Sequence, residues 1–160
     1  MEKLKLEQSS TSINLLDINK FIDEFSLKLP ESYIDFILNN NGGYPNLAAY
    51  GNPYEDGSVV DSFYSISLDD YVFKEDKVTL LPSREIIKTH QILEKNIPSY
   101  FYPFADDEGN AKFCISMNEK DFGYIYLVFL DGTSDEPTFI CDSFVKFING
   151  LENIEKYEDD

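Results

Sequence analysis

At 160 residues the chain suits one domain, and a composition of 42% hydrophobic and 15% aromatic residues excludes a disordered tail. Thirty acidic against thirteen basic side chains leave a net charge of −17, a field that repels nucleic-acid phosphates and anionic membranes. It attracts cations and basic proteins, although such charge also serves solubility alone.

Thirteen Phe and eleven Tyr, with no Trp, make the aromatic rings the main packing mass. Residues 1–12 are polar without a period and read as a loose end or a short strand. They contain no apolar run of the signal-peptide kind, and nowhere does the chain approach the ~20 apolar residues of a membrane span. Asp17 is placed to cap a helix that turns Ile18, Phe21, Ile22 and Phe25 inward, at spacings of three and four. Leu29-Pro30 ends it, because the residue before a proline is driven out of the helical region. Pro30 then suits the first turn of a second helix, with Glu31 facing the positive helix end. Tyr33, Ile34, Ile37 and Leu38 form its apolar stripe, with Phe36 beside it. Asn39-Asn40-Asn41-Gly42-Gly43 is the stop, since Asn and Gly tolerate the left-handed conformation.

Residues 44–57, rich in Pro, Gly, Asn and Tyr, read as an ordered loop, and 59–66 as a strand. Residues 68–77 read as an acidic loop. Ser83 opens a helix carrying Ile86, Ile87, His90, Ile92 and Leu93, which ends at Asn96 before Ile97-Pro98. A strand meander follows. Phe101-Tyr102-Pro103-Phe104 leads into a turn at 106–110, then strands at 112–117, 124–130 and 138–141. The 124–130 strand is the most apolar and is expected at the centre of the sheet. Asp142 or Ser143 caps a last helix with Phe144, Phe147, Ile148 and Leu151 inward. The tail, 152–160, carries five acids and one lysine and reads as solvated. Strands joined by short turns, with helices before and after, predict an α+β fold: a largely antiparallel sheet with helices packed on one face. The core is expected over about 13–151 of a single domain with flexible ends.

Few residues point to catalysis or metal binding. Counting Asp106 as the first ligand of a calcium loop puts Ala111 sixth and Met117 twelfth, where glycine and a bidentate glutamate are required. Asp106-Asp107-Glu108-Gly109-Asn110 is better read as a hairpin turn. His90 stands without a Ser or Cys nucleophile motif beside it. Gly42-Gly43 follows a helix, whereas phosphate loops precede one. Cys114 and Cys141 lie in apolar runs and read as buried reduced thiols of a cytoplasmic protein, although neighbouring strands would also permit a disulfide. No enzyme, cofactor or metal is expected.

The ordered series Leu29-Pro30 with Tyr33 and Phe36, then Asn41-Gly42-Gly43, Ile97-Pro98 and Pro103-Phe104-Ala105-Asp106-Asp107, resembles the SUKH superfamily. The match continues through Gly109-Asn110, Phe113-Cys114-Ile115, Gly123-Tyr124-Ile125-Tyr126 and Asp142-Ser143-Phe144, then Phe147-Ile148 and Leu151. The branch is the SMI/KNR-type one, which groups cell-wall regulators with bacterial immunity proteins. The Trp-rich character of some relatives is absent. The resemblance implies an α+β fold with a mixed, largely antiparallel sheet and a non-enzymatic binding role. It implies either an immunity protein that neutralises a toxin domain, often a nuclease, or a regulatory scaffold of the cell-wall type.

The acidic residues locate a candidate interface. Glu55, Asp56 and Asp61 surround one loop; Asp69, Asp70, Glu75 and Asp76 lie in another. Tyr50, Tyr54, Tyr64, Tyr71 and Phe73 are interleaved with them. Carboxylates beside aromatic rings suit a protein interface, because charge steers a basic partner while rings anchor it. The expected partner is a basic protein such as a toxin domain, with no direct nucleic acid or membrane contact. The alternative is that these rings belong to the core and the carboxylates to a solvated rim.

Overall fold

The first helix starts one turn earlier than its apolar period suggests. The Asn14 side chain accepts a hydrogen bond from the backbone N–H of Asp17 at 2.8 Å, so Asn14, not Asp17, caps α1 (Leu15–Phe25). Asp17 lies in the first turn, where its carboxylate meets the positive helix end. Ile18 and Phe21 are buried, Ile22 and Phe25 pack at the margin, and Ser26 closes the helix in the left-handed region at φ 53°. The computed structural model describes residues 2–9, 12–66, 98–109, 111–129 and 136–158. The acidic loop at 68–77 and the helix opening at Ser83, with His90, lie outside these residues.

Pro30 stands in extended backbone ahead of α2 (Glu31–Asn39), where its missing N–H costs nothing. Tyr33 and Ile37 point into the core, flanked by Ile34, Phe36 and Leu38. The helix does not end on a left-handed residue as expected: Asn40, its C-cap, is extended at φ −146°, and the glycine pair acts just beyond it. Gly42 and Gly43 take φ of +79° and +133°. Gly43 then exchanges two backbone hydrogen bonds with Phe63, at 3.1 and 2.9 Å. A Cβ on Gly42 would lie 2.8 Å from the Ser65 nitrogen, and one on Gly43 2.6 Å from the Glu7 carbonyl. Only glycine lets these backbones approach so closely.

The stretch expected to be a loop at 44–57 contains two short strands. β1 (Leu6–Glu7) pairs with β2 (Tyr44–Pro45), so the N-terminal segment is the short strand of the two readings. β3 (Ala49–Tyr50) and β4 (Ser58–Phe63) form a hairpin. β5 (Phe101–Asp107), β6 (Ala111–Ser116), β7 (Ile125–Phe129) and β8 (Thr138–Cys141) form the meander. β9 (Leu151–Glu152) closes a seven-stranded sheet of order β8-β7-β6-β5-β4-β3-β9, and every pairing described is antiparallel.

β5, not β7, is therefore central, and it continues through Asp106 and Asp107, which had read as the turn. A register shift between Pro103 and Ala105 breaks the inward–outward alternation of β5, so Phe104 and Ala105 both enter the main core, while Phe101 is buried on the other face with Cys114 and Val128. β7 keeps its alternation, with Tyr126 half-exposed on the far face. Ser143, one of the two candidate caps, caps α3 (Phe144–Asn149) by accepting from the Lys146 N–H at 3.1 Å. The C-terminal tail is folded in part. Asn153 caps a 3-10 turn (Ile154–Tyr157), and Glu152 accepts from both Lys156 and Tyr157.

The helices bury one face of the sheet, as the α+β reading requires. Tyr33 lies 5.3 Å, ring to ring, from both Tyr102 and Phe144, and Phe147 packs 5.5 Å from Phe104 and 5.2 Å from Phe113. The first three pairs are edge-to-face, an arrangement that adds ~0.5–1.5 kcal/mol each beyond buried area, and the Phe147–Phe113 pair is tilted. In this core one of the Tyr33 and Tyr102 hydroxyls donates a hydrogen bond to the other at 2.8 Å. Among the described residues no helix is long and apolar enough to cross a membrane.

Candidate interface at the acidic rim

The β3–β4 hairpin carries the first group of predicted interface residues on a loop with little freedom. Asn52 organises it. Its side-chain oxygen accepts from the Tyr54 N–H at 2.9 Å, and its carbonyl accepts from Glu55 and Gly57 at 3.1 and 2.8 Å. The returning chain presses on the outgoing one, for a Cβ on Gly57 would come within 2.4 Å of the Gly51 carbonyl carbon. Tyr54, 65% exposed, and the exposed Glu55 and Asp56 are thereby presented at the tip of a fixed turn.

Asp61 projects from the same hairpin. It falls between Val60 and Ser62, where the β4–β5 register shifts, and both of those neighbours are buried while Asp61 is exposed. A bulge re-aims a side chain outward without ending the strand. Tyr54, Glu55, Asp56 and Asp61 thus share one hairpin. Asp69, Asp70, Tyr71, Glu75 and Asp76, with Phe73, lie outside the described residues.

Two of the interleaved tyrosines belong to the core instead. Tyr50 stacks on Phe147 at 5.3 Å, and burial, helped by Cys141, pushes its phenol up to about 12. Tyr64 is 2% exposed; its hydroxyl donates to Asp106, which also pairs with Lys112. The Lys112 ammonium lies 5.5 Å from the Tyr64 ring centre. Burial and then the Asp106 charge drive the Tyr64 phenol far above its ordinary range. Sequence reasoning missed this cluster. Its one local signal was Lys112, a lone cation between Ala111 and Phe113 in an apolar strand.

The hairpin turn after β5 uses its carboxylate internally: Asp107 accepts from the Gly109 and Ala111 N–H groups at 2.9 and 3.0 Å. Among the described residues no three His, Cys, Asp or Glu side chains gather as a metal site. The two thiols are free. Cys114, on β6, and Cys141, on β8, are separated by β7, so the disulfide alternative does not arise. Burial pushes both thiols up, against the opposing Lys112 charge in the case of Cys114.

Among the described residues the rim therefore presents the exposed carboxylates of Glu55, Asp56 and Asp61 and one exposed ring, Tyr54. No curated protein matches the chain. The model of the SMI1 / KNR4 family (SUKH-1) matches residues 12–150, a span that runs from the residues just before α1 to the end of α3. The chain belongs to the SMI1 / KNR4 family (SUKH-1).

Proposed function

We propose that the chain is an immunity-type protein that neutralises a basic toxin domain by binding it directly. The observation that carries this reading is the β3–β4 tip, where Tyr54, Glu55 and Asp56 are held exposed on a fixed turn of a chain with net charge −17. Long-range attraction brings a cationic domain to the rim, and a pre-ordered turn loses little freedom on docking. Tyr54 supplies the buried anchor and Asp61 extends the charged surface along β4. Asp69, Asp70, Tyr71, Glu75 and Asp76 are proposed as further partner-binding residues on charge and composition alone. The protein acts in the cytoplasm by occluding the toxin, without turnover, cofactor or metal, and without touching nucleic acid or membrane itself.

The test is calorimetric titration against the catalytically inactivated C-terminal domain of the large secreted protein encoded nearest to this chain. One-to-one nanomolar binding, with protection of cells that express the active domain, supports the proposal. Absence of binding at both low and high salt opposes it and favours a regulatory scaffold.

A further inference from the structure

The opposite end of the sheet from the rim carries a second surface of different chemistry. β8 is an edge strand, and among the described residues no strand pairs with its outer side. Edges are commonly blocked by charged side chains. β8 has none: it reads Thr-Phe-Ile-Cys, and Phe139 is 54% exposed. On the sheet face turned away from the helices, Phe101 meets Tyr126 at 5.1 Å and Tyr126 meets Phe139 at 5.9 Å. Tyr124 packs on Phe139 at 5.6 Å, and Tyr100 on Phe101 at 4.7 Å. Tyr100 and Phe122 are each 42% exposed.

A carboxylate is fixed within this aromatic row. Asp121 accepts from the Ser116 hydroxyl on one oxygen and from the Tyr126 hydroxyl at 2.6 Å on the other. Two hydroxyl donors leave acceptor capacity on a carboxylate, which has about four lone-pair sites. Ring faces beside a fixed anion select a cationic side chain, above all the planar guanidinium of arginine.

We infer that the β8 edge and its aromatic row bind an extended, arginine-bearing segment of a protein partner as an added strand. Backbone hydrogen bonds to β8 hold the segment, and its cationic side chains lie on Tyr126 and Phe139 beside Asp121. A second copy of this chain fits poorly, because two molecules each of charge −17 repel one another. This surface is independent of the toxin-neutralising proposal, whose residues lie on the β3–β4 hairpin toward the other end of the sheet.

The probes are three synthetic peptides: an alternating Arg/Val strand-former, its Glu/Val counterpart, and the Arg/Val peptide with alternate backbone nitrogens methylated. The expected result is that the first binds and slows amide exchange in β8, while the other two bind at least about tenfold more weakly. Phe139→Ala and Asp121→Asn should each weaken the first peptide, Phe139→Ala by about tenfold as for an aromatic anchor. Glu55→Lys/Asp56→Lys should leave its affinity within about twofold, because the rim is remote from β8. Equal binding of all three peptides, no binding at millimolar concentration, or indifference to Phe139→Ala overturns the inference. So does a dimer in sedimentation that Phe139→Ala dissociates, since the occupant would then be a second copy.

Discussion

The side chain of Asn41 forms a two-way pair with the backbone of Ile66. It accepts from the Ile66 N–H at 2.7 Å and donates to the Ile66 carbonyl at 3.0 Å. Both residues are buried, so the amide stands in for a missing strand neighbour and ties the end of α2 to the chain leaving β4. Backbone polar groups left unpaired in such a place cost ~1–3 kcal/mol each. Asn41→Ala is therefore expected to lower stability by about 2–4 kcal/mol, since it strips partners from two such groups. In urea denaturation the midpoint should fall while the slope stays constant, because the surface exposed on unfolding is unchanged.

Gly43 gives a sharper case. Its φ of +133° disfavours any side chain, and an added Cβ would collide with the backbone carbonyl of Glu7 at 2.6 Å. Gly43→Ala is expected to lose about 1–3 kcal/mol from backbone conformation alone, with more from the collision. The thermal midpoint reports it. Exchange of the Phe63 amide should also accelerate, because that N–H donates to the Gly43 carbonyl. An alanine variant of unchanged midpoint would contradict the close approach.

Alkaline titration should divide the tyrosines. Tyr50 and Tyr126 are both raised from 10.0 to about 12, first by burial, then through Cys141 for Tyr50 and Asp121 for Tyr126. Tyr64 lies higher still, through burial and Asp106. Folded values above unfolded ones mean that the fold favours the neutral phenol. The associated stability is fully present below pH 10.0 and is lost as pH climbs through about 12. Absorbance near the phenolate band should therefore show a delayed class that ionises normally once the chain is unfolded in denaturant. Tyr64→Phe should remove one tyrosine from that class.

What the sequence revealed was what is local. The three- and four-residue spacing of Ile18, Phe21, Ile22 and Phe25 marks α1, and the Lys112–Met117 and Tyr124–Leu130 runs mark β6 and β7 to within a residue or two. β3 and β9 were invisible because each is two residues long and exists only through its partner, Ala49 facing Glu152 across roughly a hundred positions. β5 was truncated in the reading because Asp106 and Asp107 resemble turn residues. Asp107 does cap the turn with its side chain while its backbone still pairs with Val60. In the candidate site, the exposed tip Tyr54-Glu55-Asp56 was legible from turn-forming neighbours. The fate of Tyr64 was not, since its partners Asp106 and Lys112 arrive from distant strands. The edge position of β8, and with it the aromatic corner, follows only from strand order.

The central claim is that an acidic rim steers a basic partner onto the β3–β4 hairpin. Stopped-flow association with the inactivated toxin domain, across a salt series, tests it most directly. The account predicts an association rate that falls steeply as salt rises. It also predicts that Glu55→Lys/Asp56→Lys/Asp61→Lys slows association about tenfold or more at low salt and flattens that dependence, with the fold intact by circular dichroism. A rate indifferent to salt, or equal for the wild type and the reversed rim, would contradict it.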